Sequence, residues 1–98
     1  APVVDIQSGA VIGFKYVNFG ADGATKVTMT GDFPVGYAVN VRLDSYQGTA
    51  VASYKSAEDT KEIVAELSGK ITGKHAVYFE FISDNDAVRA VFDTFTFD

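Results

Sequence analysis

The chain has 98 residues, 47% of them hydrophobic and 21% charged, with a net charge of −5 and no cysteine. This is the length and composition of one small globular domain, and without cysteine there is no disulfide framework and no thiolate metal site. The acidic balance and the scattered Lys and Arg argue against nucleic acid or an anionic membrane as partner, because both recruit clustered positive charge.

From the start, APVVDIQ lacks the apolar core of a signal peptide and reads as a trimmed or mature terminus. PVVDI (2–6) is a short candidate strand. Period-two alternation then marks VIGFKYVNF (11–19), ATKVTMTG (24–31), VGYAVNVRLD (35–44) and GTAVASYK (48–55) as strands. It continues in TKEIVAELS (60–68), KHAVYFEFIS (74–83) and AVRAVFDTFTF (87–97). Turn chemistry separates them: GADG, GDFP, SYQG, SAED, SGKITG and SDND. SAEDTKEIVAEL also has a helix-like start at Ser56 with Asp59. Alternation of Ile63, Ala65 and Leu67 against Glu62, Val64 and Glu66 favours loop and strand instead. Seven to eight short strands without crossover helices predict an all-β fold, an antiparallel β-sandwich of jelly-roll type, as a single module over residues 1–98.

Catalytic constellations are missing. His75 is the one histidine, with no second histidine or cysteine for zinc, and reads as a structural residue of a strand. FGADGA lacks the helix that a phosphate loop needs. The acidic clusters AED (57–59) and DND (84–86) read as solvated turns, and SDNDAV lacks the glycine and final glutamate of an EF-hand loop. What remains is aromatic: eight Phe and five Tyr. Sugar rings stack their apolar faces on such side chains while their hydroxyls seek Asn, Asp, Gln or Arg. In the closing AVFDTFTFD, alternation places Asp93 on one face with Val91, Phe95 and Phe97, where an unpaired carboxylate is unfavourable if buried.

Four stretches resemble family 6 carbohydrate-binding modules: FKYVNFGADGATKV (14–27), VRLDSYQGTAV (41–51), GKHAVYFEF (73–81) and FDTFTF (92–97). They occur in the family's order and span most of residues 12–97. The resemblance implies a jelly-roll that binds sugar without catalysis, carried by a larger secreted polysaccharide-degrading enzyme. It also implies that Asp93 matches an aspartate that commonly binds structural calcium in the family, and Asp5 is the sole acidic residue ahead of the first matching strand to assist it. The chain departs from the family where sugar is usually held. Val91 stands for an asparagine, Thr94 for a tryptophan, and SAEDTKEI (56–63) for a loop with two tryptophans.

The expected function is therefore a non-catalytic, extracellular or cell-surface module that targets a glycoside hydrolase to polysaccharide. The partners expected are polysaccharide or oligosaccharide and the catalytic domain of the same parent chain. The expected sugar contacts are Tyr37, Tyr46, Tyr54, Gln47, Asp84 and Asn85, with calcium at Asp93 and Asp5. The alternatives are an accessory domain that packs on a catalytic neighbour without binding sugar, and a surface adhesion or assembly sandwich.

Overall fold

The computed structural model describes residues 2–98. Its strands are β1 (Val3–Ile6), β2 (Val11–Asn18), β3 (Ala24–Phe33), β4 (Tyr37–Leu43), β5 (Ala50–Lys55), β6 (Thr60–Ile71), β7 (Lys74–Ser83) and β8 (Ala90–Phe97). They form two four-stranded antiparallel sheets, ordered β1-β8-β3-β6 and β2-β7-β4-β5, with no helix among the described residues. This is the expected all-β sandwich. Of residues 56–67, the helical competitor, those from Thr60 onward lie in β6, where Ile63, Ala65 and Leu67 are buried and Glu62, Val64 and Glu66 are exposed.

Strand alternation positions both the core and the outer faces. In β7, Val77, Phe79 and Phe81 are fully buried, and Tyr78 and Glu80 point the other way. In β4, Tyr37, Val39 and Val41 are buried, and Asn40 and Arg42 face outward. Between the sheets the aromatic rings interlock. Phe79 of one sheet meets Phe92 at 4.8 Å and Phe95 at 5.0 Å in the other, and Phe14 meets Phe95 at 4.8 Å. Each such ring contributes about 1.5–3 kcal/mol through burial, and each aromatic pair about 0.5–1.5 kcal/mol more.

Several strand boundaries differ from the sequence reading, among them these three. SGKITG does not stop β6 at residue 68. The ladder resumes at the Ala24↔Ile71 pair, so residues 67–70 bulge out opposite Thr25. GDFP is not wholly a turn, because β3 keeps its alternation through Phe33, which is fully buried. The closing strand begins at Ala90 rather than at residue 87.

The face expected for Asp93 also does not exist. Thr30 pairs with Thr94 and Gly31 with Phe92, which leaves Asp93 as the extra residue of a β-bulge. The bulge shifts the phase of the strand. Ala90 and Phe92 point inward before it, Phe95 and Phe97 pack on the core after it, and Asp93 and Thr94 are exposed. Gly31 is what lets the strands approach there, since a Cβ would overlap the Val91 carbonyl oxygen.

Candidate functional site

The outer face of the β2-β7-β4-β5 sheet combines an aromatic ring with a polar network. Register brings Gly13, Tyr78 and Arg42 into one row, and Val11, Glu80, Asn40 and Ser53 into the next. A Cβ on Gly13 would stand 3.0 Å from the Tyr78 ring, so the ring occupies the space that a side chain would fill and lies over β2. The exposed Tyr46, on the loop after β4, meets Tyr78 edge-on at 6.2 Å.

Beside the rings runs a chain of hydrogen bonds across three strands. Arg42 Nη1 donates to Glu80 Oε1 at 2.6 Å, and Arg42 Nε donates to the Gly48 carbonyl at 2.7 Å. Asn40 Nδ2 donates to the same Glu80 oxygen at 3.2 Å, and Ser53 Oγ donates to Asn40 Oδ1 at 2.8 Å. The bond from Arg42, then that from Asn40, holds the Glu80 carboxyl below the usual carboxylate range. Charge-assisted bonds of this kind fix the orientation of flat groups. Two of the five N–H groups of Arg42 are used in this network.

The end of the sandwich bearing Tyr46 is closed by a clasp. His75 Nδ1 lies 2.8 Å from Asp44 Oδ2, and Nε2 lies 2.8 Å from the Thr72 carbonyl. The ring also meets Phe19 edge-on at 5.7 Å. The bond to Asp44, then that to Thr72, raises the His75 pKa above its ordinary value.

The family model for carbohydrate binding module (family 6) matches residues 2–98. The chain belongs to that family. No curated protein sequence matches it significantly. Among solved structures, a glycoside hydrolase family 43 arabinoxylan arabinofuranohydrolase from Bacillus subtilis, in complex with cellotetraose, superposes with a TM-score of 0.81 at 30% identity. That match covers 98% of this chain and 20% of the hydrolase, so the module spans about a fifth of that protein. A family 6 module from Clostridium cellulolyticum in complex with xylose gives 0.80 at 25% identity, covering 99% of this chain and 78% of that one. A structure from Clostridium stercorarium in complex with cellobiose shares the fold, at 0.79 and 23% identity, covering 99% of this chain and 72% of that one.

In this module the residues expected to contact sugar do not form one site. Tyr37 is fully buried, and its hydroxyl reaches the Ile6 carbonyl at 2.9 Å and the Val88 carbonyl at 2.7 Å. It ties β4 to β1 and to the loop before β8, and it offers no surface for stacking. Tyr54 pairs with Val39 and so lies on the core side of β5, at the edge of the sandwich. Asp84 and Asn85 stand at the end away from Tyr46. Asp84 is ion-paired with Lys55 at 2.9 Å, and Asn85 Oδ1 accepts from the Ala87 amide. Of the six, Tyr46 and Gln47 alone share the loop beside the Tyr78 face.

Sequence reasoning missed Tyr78, Glu80, Asn40 and Arg42. Their signal was the alternation of KHAVYFEF and YAVNVRL, which puts all four opposite buried residues on neighbouring strands. The loops around 32–36, 56–59 and 84–89 have no exposed aromatic, and Phe33 there is buried. Asp5 and Asp93 are exposed, and among the described residues no three His, Cys, Asp or Glu side chains gather to hold a metal ion.

Proposed function

We propose that the module binds a neutral polysaccharide chain along the outer face of the β2-β7-β4-β5 sheet and thereby holds an appended, secreted glycoside hydrolase on its substrate. The observation that carries the reading is the Tyr78 ring laid over Gly13 beside the bonded set Arg42, Glu80, Asn40 and Ser53. The ring offers an apolar plane to the C–H face of a pyranose, and the network offers donors and acceptors to its hydroxyls. No enclosed cavity is present among the described residues, and an open face suits an extended chain better than a small molecule. Solved relatives bound to cellotetraose and to xylose, one of them a hydrolase, support a plant-polysaccharide ligand and an attached catalytic domain. The reading gives the module no chemical step and gives calcium no role.

Calorimetric titration with cellotetraose, xylotetraose and β-1,3-gluco-oligosaccharides tests it. At least one should bind wild type, and Tyr78→Ala should lose most of that affinity with its melting transition retained. Silence toward all of them sinks the reading. Full affinity in Tyr78→Ala would move the contact to another surface.

A further inference from the structure

Both ring nitrogens of His75 face oxygens that only accept. One is a carboxylate oxygen of Asp44 and the other is the Thr72 carbonyl, each at 2.8 Å. A neutral imidazole has a single N–H, so only the imidazolium satisfies both bonds at once. Asp44 is the hinge of the loop that borders the Tyr78 face. It ends β4 in the left-handed region, with φ 64°. Its amide donates to the Ala76 carbonyl at 2.8 Å, and its Oδ1 accepts from the Ala76 amide at 3.3 Å. Directly after it come Tyr46, which packs on Tyr78, and Gly48, whose carbonyl holds Arg42.

We infer that His75 is a positioning residue for the binding face: as an imidazolium it locks Asp44 to the Thr72 turn, fixes the loop that carries Tyr46 and the Gly48 carbonyl, and makes presentation of that face depend on pH. The inference rests on the sugar-binding reading given above.

Asp44 is the one charge among the described residues that acts on the ring. β2 contributes Val17 opposite His75, the segment after β2 contributes the Phe19 edge, and the turn after β6 contributes a neutral carbonyl. Lys74, the neighbour on β7, pairs in register with Asn18. The direction of the effect follows from these partners. His75 has its pKa raised in the folded chain, so its contribution is complete below the ordinary histidine value of about 6.5 and fades as pH rises through the raised one. Asp44 is lowered, chiefly by its bond to His75, so its contribution is complete above the ordinary aspartate value of about 3.9 and fades as pH falls through the lowered one. The clasp is therefore strongest in mildly acidic solution.

His75 is the sole histidine, so a single imidazole reports the state of the clasp in nitrogen-15 NMR. The expected result is a ring protonated at both nitrogens at pH 6, titrating above the ordinary histidine value, with the resonances of residues 45–49 moving at the same midpoint. Cellotetraose affinity should be several-fold weaker at pH 8.5 than at pH 5.5. Asp44→Asn, whose side chain tolerates the left-handed backbone, should bring the His75 midpoint down toward the ordinary value, leaving the smaller effect of the Thr72 carbonyl, and uncouple the loop and the affinity from it. A His75 that titrates at or below the ordinary value, or a loop that does not follow it, overturns the inference. So does an affinity that stays level while the loop moves. If the loop follows His75 and no sugar binds at any pH, positioning of the loop is upheld and the sugar-binding reading is the one that fails.

Discussion

The two outer faces of the sandwich come from the same alternation and are chemically unlike. On the β1-β8-β3-β6 sheet, Thr30 pairs with Thr94 and Thr28 with Thr96, flanked by Glu62, Val64 and Glu66 on β6. The Thr30 and Thr94 hydroxyls lie 2.5 Å apart and largely satisfy one another. On the β2-β7-β4-β5 sheet, the outward positions hold an aromatic plane and a guanidinium bonded to Glu80. Alternation alone makes both faces polar. The proposed binding face is the one whose groups are fixed by one another.

The comparison can be tested from its foundation outward. Phe79→Ala removes the ring at the centre of the core that supports both faces. It should lower unfolding free energy by about 3–5 kcal/mol in denaturant titration, the usual range for a buried phenylalanine. A much smaller loss would mean that the interlocked rings are not the common support. Tyr78→Ala should separate the faces, weakening oligosaccharide binding by about 2 kcal/mol, a hot-spot loss. Glu80→Gln should come next. It removes the charge that orients Arg42, and binding should fall by about 1 kcal/mol, the scale of a weakened hydrogen bond. Because Glu80 has its pKa lowered, wild type should keep this contribution above the ordinary carboxylate range and lose it as pH falls through the lowered value. Tyr16 is 79% exposed with φ 63°, a strained setting for a bulky residue. Tyr16→Asn should therefore raise stability by about 1 kcal/mol, and a simultaneous loss of affinity would extend the binding face along β2. The smallest effect belongs to the other sheet. Thr30→Val with Thr94→Val should leave oligosaccharide affinity unchanged and shift stability by about 0.5 kcal/mol or less. A clear loss of binding there would reverse the assignment of the faces.

The fold was legible because alternation and turn residues carry it locally. Patterns such as VYFEF, with Val77, Phe79 and Phe81 against Tyr78 and Glu80, need no distant information. Family membership was legible for the same reason, in four ordered stretches of chain. The proposed binding face was not, because it exists only through register. Gly13, Tyr78 and Arg42 are far apart in sequence, and nothing in any one strand shows that they share a row. Tyrosine itself was ambiguous. Tyr37 and Tyr78 sit in similar strand contexts, yet one seals the core through two carbonyls and the other faces outward. The phase of β8 was hidden too, since a bulge has no signature within the bulged strand. Its cause lies across the sheet at Gly31.

That bulge makes Asp93 a counting residue. A strand assigns its side chains to core or solvent by odd and even position, and Asp93 is where β8 resets the count. Pairing Asp93 as an ordinary strand position, without the bulge, would send Thr96 toward Phe19 and turn Phe95 and Phe97 to water, although no residue had been changed. The position is thus tolerant of substitution, and without it Phe92, Phe95 and Phe97 would all face inward by plain alternation, with no bulge for the glycine opposite to accommodate. Homologous chains aligned over this strand should keep or lose the extra residue together with Gly31.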